Sequence, residues 1–238
     1  MKIIALIPAR SKSERLKNKN ILKINKKPLL YYAINSAKKS CLFDKIVVST
    51  DSEKYQKIAK QYGAEAPFLR PKNIAGAKST DFQWVNHAIN YFKKKNIYFN
   101  YFFILRPTSP FRTSQTIIKA WKLFKKEKPD SLRAIESCKQ HPYKMWIVDN
   151  QYIKPLFKKK INKEPAFNNQ FKSLPQFFIQ NGSIEISKVS ILAKNKTISG
   201  KKIIPFFTNS LEGFDINYKK DIFDARIIYN KKLKNKII

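Results

Sequence analysis

The 238 residues carry 49 lysines and arginines against 16 acidic residues, a formal net charge of +33, and 43% of them are hydrophobic. That apolar share supports a large core and excludes an intrinsically disordered chain. The longest apolar runs, Ile3–Pro8 and Tyr101–Leu105, are far too short to cross a bilayer, so no membrane partner is expected.

The charge by itself suggests nucleic-acid binding. Only seven of the 49 cations are arginine, however, and the lysines are scattered along the chain. Base readers and phosphate forks lean on arginine. The excess of Lys, Asn, Ile, Phe and Tyr is what an AT-rich coding sequence produces, and no nucleic-acid partner is expected. Cys41 and Cys138 stand alone, without metal-ligand spacing, which fits a reducing cytoplasm. The first apolar stretch is too short for a signal peptide.

In chain order, Lys2–Ile7 reads as a buried strand ending at Pro8. The loop behind it, Ala9 to Asn20, is dense in cations, hydroxyls and amides. Arg10, Arg15, Lys17 and Lys19 supply charge, and Ser11, Ser13, Asn18 and Asn20 supply hydrogen-bonding groups. A loop leaving the first strand of a parallel sheet is a natural anion site, and this chemistry suits a polyphosphate. Ile21–Lys27 reads as a short extended or turn segment. Leu29–Ser40 has helical spacing, with Leu30, Ala33, Ile34 and Ala37 on one face.

Lys45–Ser49 is a second buried strand, followed by a helix over Ser52–Tyr62 that Asp51 or Ser52 should cap and Gly63 should stop. Thr80–Lys94 is amphipathic, and His87 within it is expected to be a packing residue. Tyr101–Leu105 is a third buried strand, ending in Arg106-Pro107, and Arg106 and Arg112 bracket a rigid proline turn. A helix over Thr113–Glu127 and a strand over Ser131–Ser137 follow.

Strands alternating with helices predict an α/β fold with a doubly wound, mostly parallel sheet. The polar strand ends PARS, STDS and RPTSPFR should converge on one cleft. His141–Gln180 breaks the rhythm and reads as a small β-rich lobe at about 141–180, inserted into one domain over 1–238. In it His141 is expected to be structural. Asn181–Ser187 and Lys202–Phe207 return to strand character, and a closing helix begins at Asp221.

Seven motifs in this order resemble the acylneuraminate cytidylyltransferases: IPARSKSERLKNKNI, FDKIVVSTDS, YGAEAPFLRP with the later VNHA, ILRPTSPFRT, HPYK, LPQFFIQNGSIEI and FDIN. The resemblance covers essentially the whole chain. It implies a nucleotidyltransferase fold and transfer of CMP from CTP to an acidic sugar of the sialic, legionaminic or pseudaminic type. It implies nucleotide contacts at Arg10, Ser11, Ser13, Arg15, Lys19, Asn20, Arg70 and Asp81. Sugar contacts are implied at Arg106, Lys144 and Asn181, and a Mg²⁺ site at Asp215 and Asn217. Arg10, Lys19 and Asp215 would carry the catalysis, and no general base can be named. A homodimer in the cytoplasm is implied, with the 141–180 lobe as arm and sugar clamp.

The sequence departs from that pattern in informative places. Between Pro8 and Ile21 the loop holds no glycine, and Glu14 stands where the family has a cation. Arg106 replaces a glutamine, Asn217 replaces a second aspartate, and Phe171 and Ile179 replace two arginines. Two readings compete with the enzyme: a basic nucleic-acid-binding protein, and a homologue that binds nucleotide without turnover.

Overall fold

The computed structural model describes residues 1–234, so the expected 1–238 domain extends four residues outside the described part. In chain order the larger elements are β1 (Ile3–Pro8), α1 (Leu29–Ser40), β4 (Lys45–Ser49), α2 (Glu53–Gln61), α3 (Asp81–Lys93), β5 (Tyr101–Ile104), α4 (Ser114–Glu127), β6 (Ser131–Ser137), β11 (Phe178–Lys188), α5 (Ser190–Asn195), β12 (Ile203–Phe207) and α6 (Lys219–Lys234). A hairpin of β2 (Lys23–Ile24) and β3 (Lys27–Pro28) precedes α1. Four short strands fall between β6 and β11: β7 (Trp146–Asp149), β8 (Tyr152–Pro155), β9 (Lys160–Ile161) and β10 (Glu164–Pro165).

By contact the chain divides into two compact units, Met1–Ala134 with Asn181–Ile238, and Ile135–Gln180. The first is built on a six-stranded sheet of order β12-β6-β11-β5-β1-β4. β1 runs parallel to β4 and to β5, with Leu6 opposite Val47 on one side and Ile104 on the other. β11 is antiparallel to β5 and sets Glu185 opposite Ile104.

Alternation in β1 explains why it is central. Ile3, Ala5 and Ile7 pack with α1, α2 and α4 on one face of the sheet. Ile4 and Leu6 pack with Trp84, Val85, Ala88, Ile89 and Phe92 of α3 on the other. Both faces are covered, so the strand reads as one apolar run. Ile4, Leu6 and Ile7 are fully buried, each contributing about 1.5–3 kcal/mol. The chain leaves β1 outward to β4 and returns past it to β5. That reversal opens a crevice at the carboxyl end of β1, where ligands bind in open α/β sheets.

The second unit is held by its own aromatic cluster. His141 is buried there, with Nε2 on the Pro175 carbonyl at 2.9 Å and Nδ1 accepting from the Tyr143 amide at 3.1 Å. Tyr143, Phe171 and Phe177 surround its ring. The antiparallel hairpin β7–β8 instead exposes Ile147, Val148, Tyr152 and Ile153 to solvent. In the first unit His87 packs its ring edge-on to Phe68 at 4.8 Å, a packing position.

Candidate active site

The loop behind β1 is shaped by polar contacts that its sequence does not announce. The Ala9 amide bonds the Ser49 carbonyl at 2.9 Å, keeping the chain beside β4 one residue past the strand. Asp51 does not cap α2: Ser52 does, its hydroxyl accepting from the Tyr55 amide. Asp51 instead takes the Ser11 amide at 2.7 Å and the Ser11 hydroxyl at 2.8 Å, one on each carboxylate oxygen. Buried Asn20 donates to the Arg10 carbonyl at 3.1 Å. Asn18 takes a left-handed backbone, φ 55°, which supplies the tight turn that a glycine would otherwise make.

A cleft of about 500 Å³ opens above this loop. Arg10, Ser13, Arg15, Lys19 and Asn20 line one wall. Arg10 donates to the Gly76 carbonyl at 2.8 Å, and Lys19 to the Ile216 carbonyl at 3.0 Å. Neither spends its charge on a carboxylate in these bonds. Burial pulls the Lys19 pKa below its ordinary value, and neighbouring Asp215 pulls it back. Arg15 lies over the Tyr218 ring at 5.5 Å.

The opposite wall holds Arg70, Asp81, Trp84 and Arg106. Buried Arg70 donates through Nε to the Ser49 hydroxyl at 3.0 Å and through Nη2 to the Ser49 carbonyl at 2.8 Å. Its guanidinium lies over the Trp84 ring at 5.1 Å. Burial pushes its pKa down to about 10, so it stays charged at neutral pH. Trp84 donates its indole N–H to Asp81 at 2.8 Å. Asp81 receives Arg106 at 2.6 Å, and Arg106 also reaches Glu185 at 2.7 Å. The second oxygen of Glu185 pairs with Arg133. Behind this wall, fully buried Arg112 donates to the Ser183 carbonyl at 2.5 Å and the Arg106 carbonyl at 3.2 Å, bracing the proline turn against β11.

Asp215 and Asn217 close the cleft at positions i and i+2 of an extended segment. Asn217 donates its amide to Asp215 Oδ2 at 2.7 Å. Asp215 Oδ1 is buried and has no hydrogen-bond partner among the described residues. A Cβ on Gly182 would stand 3.2 Å from Arg106 Cδ, a tight approach, and at ordinary contact distance, 3.5 Å, from that oxygen. Among the described residues no group of three or more His, Cys, Asp or Glu side chains is arranged to hold a metal ion by itself. One free carboxylate oxygen beside an amide is the donor set that suits Mg²⁺ carried on a polyphosphate, which keeps phosphate and water ligands.

Ten of the implied site residues therefore share one cleft. Three do not line it. Ser11 is turned onto Asp51. Asn181 spends its side chain on Thr208 at 2.8 Å and on the Ser183 amide at 3.1 Å. Lys144 belongs to the second unit, where it donates to the Phe167 carbonyl at 3.0 Å. Arg106 lines the cleft, yet its charge already answers two carboxylates. Glu185, Arg133 and Trp84 were not singled out from sequence. The one signal was a lone carboxylate between the buried Ile184 and Ile186 of β11.

Sheet order and cleft position define an α/β fold with a cationic crevice at the carboxyl end of β1, the place where such folds bind anionic ligands. A family model described as Cytidylyltransferase matches residues 4–81. The chain is 35% identical over 99% of its length to an N-acylneuraminate cytidylyltransferase of Escherichia coli, of which it spans only 54%. It is 31% identical to a CMP-N,N'-diacetyllegionaminic acid synthase of Legionella pneumophila, over 91% of both chains. A solved CMP:2-keto-3-deoxy-manno-octonic acid synthetase complexed with CTP shares the fold, with a TM-score of 0.72 at 13% identity over 98% of this chain and 100% of that one. The chain belongs to the acylneuraminate cytidylyltransferase family.

Proposed function

We propose that this chain joins CTP to an acidic nonulosonic-type sugar, of the sialic, legionaminic or pseudaminic kind, giving a CMP-sugar and pyrophosphate. One observation carries the reading: Arg10, Arg15 and Lys19 share a cleft with an unpartnered Asp215 oxygen. Cations there meet a triphosphate, and the free carboxylate oxygen meets the cation that accompanies it.

In this reaction a sugar hydroxyl oxygen attacks the α-phosphorus and its proton is released to solvent. The bond from that phosphorus to the α–β bridging oxygen breaks, and pyrophosphate leaves with the electron pair. Asp215 and Asn217 would hold Mg²⁺, which when bound neutralises charge on the phosphates. Arg10, Arg15 and Lys19 bind the phosphates and stabilise charge as it moves to the leaving group. Ser13 and Asn20 add hydrogen bonds from the loop, and Asp51 fixes the loop through Ser11. Arg70 and Asp81, joined through Trp84, hold the nucleotide from the facing wall. Catalysis of this kind is positioning and electrostatics rather than covalent chemistry by the protein.

Lys144 and Asn181 remain proposed sugar contacts by family resemblance. The exposed apolar hairpin β7–β8 supports a homodimer, because a surface carrying Val148 at 74% and Tyr152 at 68% exposure invites burial against a second copy. Light scattering is expected to give twice the chain mass of 27.9 kDa, and a monomer mass at micromolar concentration would count against the arm. No helix among the described residues is long and apolar enough to cross a membrane, and we place the reaction in the cytoplasm, where both cysteines would stay as the free thiols seen here. Pyrophosphate release from CTP in the presence of nonulosonic acids tests the reading as a whole.

A further inference from the structure

We propose that Arg106 is electrically silent toward the anionic substrates, and that Glu185 is the positioning residue that makes it so. The inference rests on the reading of the cleft as a nucleotide site. Asp81 and Arg106 line the facing wall, and Glu185 and Arg133 stand behind Arg106, so that two carboxylates meet two guanidiniums. The four are joined in one line: Asp81 to Arg106 at 2.6 Å, Arg106 to Glu185 at 2.7 Å, and Glu185 to Arg133.

Glu185 is 2% exposed and gives one oxygen to each arginine. Both N–H groups of Arg106 Nη2 are therefore used, one on each carboxylate. Two carboxylates thus stand against two guanidiniums. Burial pushes the Asp81 carboxyl up, but the Arg106 charge and the hydrogen bonds from Arg106 and Trp84 hold it below its ordinary value. Burial, then Arg106, pushes Arg133 down only to about 10. The formal charges of the four side chains cancel.

Across the cleft the hydrogen bonds of Arg10 and Lys19 go to neutral backbone carbonyls. Arg70 on the facing wall likewise bonds only the neutral Ser49 groups, so phosphates are steered to Arg10, Lys19 and Arg70 rather than to Arg106.

The test is calorimetric binding of CTP, with thermal unfolding, for Arg106→Gln, Glu185→Gln and the double variant. Arg106→Gln leaves two carboxylates against one arginine, and should weaken CTP binding about tenfold. Glu185→Gln leaves a surplus positive charge. It should lower Tm yet leave the Kd for CTP unchanged or reduce it by up to about threefold. Damage to the fold alone would weaken binding in both. Should Glu185→Gln fail to fold, Arg133→Gln takes its place. Arg133 does not line the cleft, and its loss should weaken CTP binding several-fold by exposing a carboxylate charge. The double variant should lose less Tm than the sum of the singles.

Weaker CTP binding in Glu185→Gln, unchanged binding in Arg133→Gln, or additive Tm losses would overturn the proposal. If the wild-type chain bound no CTP, the functional reading would fail, and the Tm cycle would still decide whether the four charges act as one unit.

Discussion

Asp215→Ala is expected to lower Mg²⁺-dependent turnover by about 10²–10³-fold, the scale on which removing a group that stabilises transition-state charge is felt. The fold should hardly notice. Asp215 Oδ1 is buried without a partner among the described residues, an arrangement that costs stability as long as nothing binds it. The substitution loses one hydrogen bond, from Asn217 to Oδ2, and relieves that cost, so stability should change by no more than about 1 kcal/mol in either direction. Loss of turnover at constant stability identifies a group kept for chemistry. Steady-state pyrophosphate release and thermal unfolding of the same preparation measure both. Turnover near wild type would remove Asp215 from the site.

Lys19→Met is the second large effect. Lys19 leaves the β1 loop and donates to the Ile216 carbonyl at 3.0 Å, reaching Asn217 Oδ1 at 3.5 Å. It thereby ties the phosphate loop to the Asp215–Asn217 segment while adding a positive charge between them. Methionine keeps the apolar stem and removes the tie and the charge together. The KM for CTP should rise about tenfold and kcat fall about 10²-fold, because the interaction grows as charge moves to the leaving pyrophosphate. Lys19→Arg should not restore activity, since a planar fork cannot replace a compact ammonium in a space already bounded by two oxygens. A change in KM alone would make Lys19 a binding residue without a share in the chemical step.

The fold was legible wherever burial on both faces left an apolar run between polar stops. Lys45–Ser49 and Ser131–Ser137 match the observed strands, and Leu29–Ser40 the observed helix. The loop at β1 was legible as an anion site because its position follows from the sheet and its residues from composition. What sequence could not assign was the choice of polar partners. Asp51 and Ser52 are both good helix caps, and the decision between them lies with Ser11, 40 residues away. The motif resemblance names Arg106 as a sugar contact but not its partners, because Asp81, 25 residues before it, and Glu185, 79 residues after it, meet the same guanidinium only in the fold. The missing glycine is answered by Asn18, whose left-handed backbone became visible only with coordinates. In a chain with 49 cations, no single lysine or arginine announces its partner.

Transfer of CMP from CTP to an acidic nonulosonic-type sugar is read directly by pyrophosphate release from CTP and Mg²⁺ with a panel of sialic, legionaminic and pseudaminic acids, ATP, GTP and UTP serving as controls. Release is expected with CTP and at least one of these acids, and far less with the other nucleotides. No release with any acid, together with salt-sensitive binding of DNA by the same protein, would contradict it.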